Sequence, residues 1–173
     1  LYIEAMEIFM DFRDKLILAP MAGVCAQPFR LLCKEQGCDI LYSEMVSAKA
    51  IFYKNKNTKP LLAMDEREKP FGLQLFGSDP HIMAEMAKMI EGNGYSFIDV
   101  NMGCPVPKVV NNGEGSALMK DPLLVGRIVE AMSNAISIPL TVKIRSGFDS
   151  EHINAPEIAH IAQESGAAAV AVH

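Results

Sequence analysis

Apolar residues along the chain gather into short runs, separated by stretches in which they recur every three or four positions. The runs are Leu16-Ile17-Leu18-Ala19, Ile40-Leu41-Tyr42, Phe71 to Phe76, Phe97 to Val100, Leu140 to Ile144 and Ala169 to Val172. Rich in β-branched or aromatic side chains and bounded by polar or turn residues, they predict buried strands. The helical stretches lie between them. Pro80 to Glu91 sets Ile82, Met83, Met86, Met89 and Ile90 on one face, with Asp79 as N-cap and Pro80 in the first turn. Pro122 to Ser133 repeats the device behind Asp121, presenting Leu124, Val125, Ile128, Val129 and Met132, and Pro156 to Ser165 runs from Asn154 as cap to Gly166 as the C′ residue. Strand and helix alternate without hairpin signals, so the strands are expected to pair in parallel through helical crossovers. The pattern predicts an α/β fold, a (β/α)8 TIM barrel present as an incomplete barrel of about six units, since the repeat of about 30 residues is that of such barrels. A doubly wound sheet is the rival, but no GxGxxG follows the first run, where Pro20-Met21-Ala22-Gly23 stands instead.

Composition adds bounds. The chain has 173 residues, half of them apolar, and no apolar run approaches the length of a membrane span. Residues 1–15 show no trusted turn or cap chemistry and are expected to form an extension, with Glu4, Glu7 and Asp11 where a secretory signal would be positive. A cytoplasmic protein is expected. Cys25, Cys33, Cys38 and Cys104 include no CxxC pair, so reduced thiols and no metal site are expected. Cys33 is expected on an apolar helical face with Phe29 and Leu32. Net charge is −5, which argues against a nucleic-acid coat protein but leaves room for a local basic strip. Lys49, Lys54, Lys56 and Lys59, with Phe52 and Tyr53 beside them, suit phosphates and unstacked bases, or else form a solvated helix end.

Chemistry is expected at the carboxyl ends of the strands, where parallel α/β folds place it. Those ends collect Pro20, Met21 and Ala22, then Ser43-Glu44-Met45, Gln74, Asn101 and Cys104, Lys143 and Arg145, and His173. Lys143 falls within an apolar run, where an unpaired charge costs several kcal/mol to bury; it requires a bound anion or a carboxylate such as Glu44 or Asp99. Gln74 and Asn101 need hydrogen-bond partners, either backbone or a flat heteroaromatic ligand. Cys104, on a Gly-Cys-Pro turn after a strand, is aimed away from the sheet rather than packed in it. The segment from Pro105 to Ala117 reads as a mobile cover or as plain glycine-punctuated loop. His173 suits a phosphate or ring contact, or a structural role.

These residues resemble the tRNA-dihydrouridine synthase family. The resemblance rests on Ala19-Pro20-Met21-Ala22-Gly23-Val24 with Pro28-Phe29-Arg30, Ser43-Glu44-Met45, Gln74-Leu75-Phe76-Gly77, Asp99 to Pro105, Gly115 to Leu118 and Thr141 to Gly147, in order along residues 16–173. It implies an FMN-dependent oxidoreductase that uses NADPH to reduce uridine in tRNA to 5,6-dihydrouridine. Pro20, Met21, Ala22, Gln74, Lys143 and His173 would then bind the flavin, Asn101 and Arg145 would meet the target uridine, and Cys104 would protonate C5 as hydride reaches C6. The expected partners are tRNA and NADPH. Val24-Cys25-Ala26 departs from the family's Val-Thr-Asp, which puts a polar role of that turn in doubt. The resemblance also implies further barrel strands and a helical tRNA-binding domain beyond residue 173. Two alternatives stay open: an FMN-dependent dehydrogenase of a free pyrimidine or dihydroorotate, and a catalytically silent partial barrel that self-associates through unclosed edge strands.

Overall fold

The structure, a computed structural model, describes residues 10–173. Its strands are β1 (Leu41–Tyr42), β2 (Val46–Ser47), β3 (Phe71–Phe76), β4 (Phe97–Met102), β5 (Leu140–Ile144) and β6 (Ala169–Val172). The helices are α1 (Gln27–Glu35), α2 (Ala48–Phe52), α3 (Pro80–Glu91), α4 (Pro107–Val110), α5 (Pro122–Ala135) and α6 (Ala155–Glu164). All strand pairs are parallel, and the sheet runs β1, β3, β4, β5, β6 with β2 also on β3. With β1 and β2 as two pieces of one interrupted strand, each strand lies beside its neighbour in sequence, the order of a barrel; a doubly wound sheet reverses direction at a switch point. The sheet also curls. Ile17 and Ala19 at one edge line the same cavity as Ala169 and Ala171 at the other, so the fold is an incomplete (β/α)8 barrel.

Of the first predicted strand only one parallel bridge forms, Ile17 to Ile40. Leu16 stays 62% exposed, because a strand that pairs on one side only leaves half its surface uncovered. The second run is interrupted. Leu41 opposes Phe71 but Val46 opposes Leu75, so one extra residue is accommodated between β1 and β2. At this bulge the Ser43 N–H donates to Gly72 O at 2.9 Å, and its hydroxyl accepts from the Gln74 N–H at 2.9 Å, replacing a lost rung of the ladder.

The two faces of the sheet differ. The outward face, including Leu73, Leu75, Ile98, Val100, Val142 and Ile144, packs on Met83, Met86, Ala87 and Ile90 of α3 and on Val125, Ile128, Val129 and Met132 of α5. Met89, expected on this face of α3, is 57% exposed, and Ala87 takes the buried place. Asp79 and Asp121 cap their helices as expected, accepting from Ile82 N and Leu124 N. Asn154 does not: its Nδ2 donates to Met119 O at 2.9 Å, so the side chain ties α6 to the 3-10 turn that precedes α5. The inward face begins with an aromatic layer, in which Phe12 and Tyr42 stand edge-on to Phe97 at 5.8 and 4.9 Å. The Phe97 ring lies across Gly72, where an added Cβ would come within 2.1 Å of it. Met10 joins Phe12 on this cluster.

α1 corrects another expectation. Phe29 and Leu32 are 37% and 57% exposed, Cys33 is half-buried, and the helix buries only Arg30. Arg30 pairs with Glu68, both almost wholly buried. Its Nη1 donates to Cys25 O at 2.7 Å and its Nη2 to Ala63 O at 3.1 Å, while the guanidinium lies 4.6 Å from the Phe71 ring centre. Glu68 also accepts from Asp65 N. Breaking one partner of such a buried pair strands the other charge. Glu68→Ala is expected to destabilise the protein by about 3–5 kcal/mol, read from chemical denaturation; a loss under 1 kcal/mol would show that water reaches Arg30 in the native state.

Candidate active site

Above the aromatic layer the inward face turns polar. Register sets Gln74 beside Asp99 and Asp99 beside Thr141, and in the next layer Asn101 beside Lys143. Period-two alternation puts all five side chains on one face. Asp99 is fully buried: its Oδ2 accepts from Gln74 Nε2 at 2.7 Å and its Oδ1 from the Thr141 hydroxyl at 2.6 Å. Asn101 Nδ2 donates to Gln74 Oε1 at 2.9 Å, and Asn101 Oδ1 accepts from Cys104 N at 2.9 Å and Gly103 N at 3.2 Å. One chain of hydrogen bonds thus runs from Thr141 through Asp99, Gln74 and Asn101 to the backbone of the Cys104 turn. Because each amide is bonded at both ends, its orientation is determined.

Cys104 is half-buried, with its carbonyl accepting from Ser116 N at 2.9 Å. Arg145 Nε donates to Gly103 O at 2.8 Å, so β5 also grips the turn. The segment after Cys104 is packed rather than a free cover: α4 buries Val109, and the following 3-10 turn, Gly115–Lys120, buries Ser116, Leu118 and Met119. Gly115 has φ +62°, and a Cβ there would meet Cys104 O at 2.6 Å. Only glycine allows this approach.

Lys143 lies half-buried in a cavity of about 290 Å³ with Ala19, Pro20, Tyr42, Thr141, Ala169 and Ala171. The carboxylates weighed as its partners are engaged elsewhere. Glu44 Oε2 accepts from Gly23 N at 2.7 Å, holding the Pro20–Gly23 turn against the bulge, and both Asp99 oxygens are bonded as described. Burial pushes the Lys143 ammonium down, partly offset by the charge of Asp99. Burial pushes Asp99 up to about 6, against its hydrogen bonds from Thr141 and Gln74 and the charge of Lys143.

Thus Gln74, Asn101, Cys104, Lys143 and Arg145 come together at one end of β3, β4 and β5. Pro20 lines the cavity, whereas Met21 and Ala22 are exposed on the adjoining turn. His173 is exposed at the end of β6, tied by its N–H to Ile144 O at 3.0 Å. Thr141 and Ser43 carry hydrogen bonds that single-residue reading missed. Counting back two from Lys143 would have found Thr141. Cys25 and Cys38 are buried and donate to carbonyls, as small core residues do.

Asp99 makes stability fall with pH. Its folded pKa lies above the ordinary value of 3.8, so the folded state holds the proton more tightly. The resulting stabilisation is complete below about pH 4 and lost as pH rises through 6. Asp99→Asn should abolish a component of order 2–3 kcal/mol between pH 4 and 7, measured by denaturation of both proteins across that range. Parallel curves for the two would mean that Asp99 does not titrate there.

Comparison with known proteins agrees with this geometry. The family model described as dihydrouridine synthase matches residues 17–173. The chain is 47% identical over 161 residues to tRNA-dihydrouridine synthase B of Xanthomonas axonopodis pv. citri, covering 92% of this chain and 48% of that protein. It is 41% identical over 160 residues to the protein of the same name from Pseudomonas aeruginosa, covering 92% and 48%. With the probable tRNA-dihydrouridine synthase of Rickettsia conorii it shares 42% over 165 residues, covering 95% and 50%. The chain spans about half the length of the curated relatives it matches. A match over nearly all of the barrel segment, together with the assembled strand-end residues, shows that the chain belongs to the dihydrouridine synthase family.

Proposed function

We propose that the protein reduces uridine in tRNA to 5,6-dihydrouridine, with FMN as cofactor and NADPH as reductant, in the cytoplasm. The observation that carries the reading is the meeting of a thiol turn, two oriented amides, a lysine without an ion-pair partner among the described residues and an arginine at one end of three adjacent strands. The donor set suits a flavin. Small residues, Ala19, Ala169 and Ala171, leave an apolar-walled cavity with Lys143 as its cation. Gln74 keeps one amide hydrogen and one carbonyl lone pair after bonding Asp99 and Asn101, a donor and an acceptor for the pyrimidine edge of the ring. Bound FMN, reduced by NADPH, would supply the hydride for C6 of the uracil.

The chain's own residues do the rest. Lys143 would support negative charge at the cofactor, Pro20 with Met21 and Ala22 on its turn would wall the ring, and His173 would border it from β6. Arg145 and Asn101 border the place of the uracil. Adding hydride at C6 leaves a negative charge shared between C5 and the C4 oxygen, and the Cys104 thiol quenches it by giving its proton to C5. A thiol is mostly protonated at neutral pH, which suits it to act as an acid. The target base must leave its stack to lie in such a site.

Purified protein should contain FMN at one per polypeptide and, with NADPH, reduce unmodified tRNA but not free uracil or orotate. Turnover of the small molecules alone would reassign the substrate. Cys104→Ala is expected to lower dihydrouridine formation by about 10²–10⁴-fold, while NADPH still bleaches the flavin absorption. Undiminished turnover by that variant would remove Cys104 as the acid.

A further inference from the structure

The segment between β2 and β3 plays no part in the site just described, yet it concentrates positive charge in an acidic protein. Between Val46 and Met64 there are four lysines and no acid, in a chain of net charge −5. Lys49, Phe52, Tyr53, Lys54, Lys56 and Lys59 are all exposed, Tyr53 at 73%. Phe52 and Tyr53 stand edge to face, 5.2 Å between ring centres, with the lysines on either side.

This surface is held in shape. Ser47 caps α2 by accepting from Ala50 N, and Lys54 takes a left-handed φ of 54° as its N–H bonds Ile51 O. Asn55 N–H donates to Ala50 O and its side chain accepts from Asn57 N, so the chain reverses in a fixed turn. At the far end the Tyr95 hydroxyl donates to Leu62 O at 2.6 Å and Arg30 to Ala63 O. Its position is as informative as its charge. α2 starts where β2 ends, at the Ser47–Phe76 pair, the same end of the sheet as Cys104. Lys49 Nζ lies 4.0 Å from Oε1 of Glu114, the residue that leads into Gly115 and Ser116 behind the Cys104 carbonyl.

We propose that residues 49–59 form an RNA-docking surface that holds the tRNA strand beside the nucleotide entering the Cys104 site. The inference rests on the tRNA reading above and states where that substrate is gripped. Lysines neutralise the phosphates, and Tyr53, with Phe52 bracing its ring, offers a face to an unstacked base. An anionic membrane or an acidic protein would use the charge, but neither calls for stacking faces next to a base-sized site.

The test titrates unmodified tRNA transcript against the purified protein at several salt concentrations, using the parent, a Lys54→Ala/Lys56→Ala/Lys59→Ala variant, Tyr53→Phe and Tyr53→Ala. Thermal melting of each confirms that these exposed changes leave the fold intact. The triple variant is expected to bind several-fold more weakly, with the slope of log K against log salt reduced by about 2. Tyr53→Ala should lose roughly fivefold or more at all salts, and Tyr53→Phe should bind like the parent. Unchanged affinity and slope in the triple variant overturn the surface, as does a loss confined to phosphatidylserine vesicles or polyglutamate assayed alongside. Weakened tRNA binding by the variants of a parent that makes no dihydrouridine would support the surface while removing the proposed reaction, so the two readings fail separately.

Discussion

A carboxyl group with no access to water sits at the centre of this sheet, and the site is arranged around satisfying it. Asp99 can be buried only because Thr141 and Gln74 donate to its two oxygens. That requirement turns the Gln74 amide, which turns Asn101, which fixes the backbone of the Cys104 turn. Members of such a network are not independent, since removing one leaves the next with an unmet bond in a low-dielectric interior. The polar layer is also boxed in. Phe12, Tyr42 and Phe97 close the inward face on one side of it, and Phe12 and Tyr42 also line the cavity that holds Lys143.

The second constraint lies outside the sheet. Arg30 and Glu68 join α1 to the segment before β3, while Glu44, offered by the bulge at Ser43, accepts from Gly23 in the turn before α1. Together they set the Pro20–Gly23 turn against the strand ends without a continuous first strand to support it. A bulge that re-aims one side chain is a common device beside active sites. Here the ladder bond lost at the bulge is replaced, because the Ser43 hydroxyl supplies the missing acceptor.

Much of the fold could be read from the chain. The strands at 71–76, 140–144 and 169–172, the aspartate caps of α3 and α5 and Gly166 at φ +101° follow from local pattern and turn chemistry, while β4 runs on through Asn101 and Met102 past the expected end at Val100. Where expectation failed, a distant partner had decided. Asn154 bonds Met119 instead of its own helix, α1 buries an arginine because Glu68 awaits it, and the glycine-rich stretch after Cys104 is packed because Ser116 meets the Cys104 carbonyl. Met89 was misplaced because helical periodicity gives a face but not its width.

The candidate site divides the same way. Which residues stand at strand ends is a property of the sequence, because strand length and period two are local. So are the family resemblance and the concentration of lysine between Val46 and Met64. That Gln74 and Asn101 lock each other, that Glu44 serves Gly23 rather than Lys143, and that Lys49 reaches the Cys104 loop were decided only by strand register and the curl of the sheet. Those contacts join residues far apart along the chain. No local pattern encodes them, because their energies arise only once burial has removed water as the alternative partner.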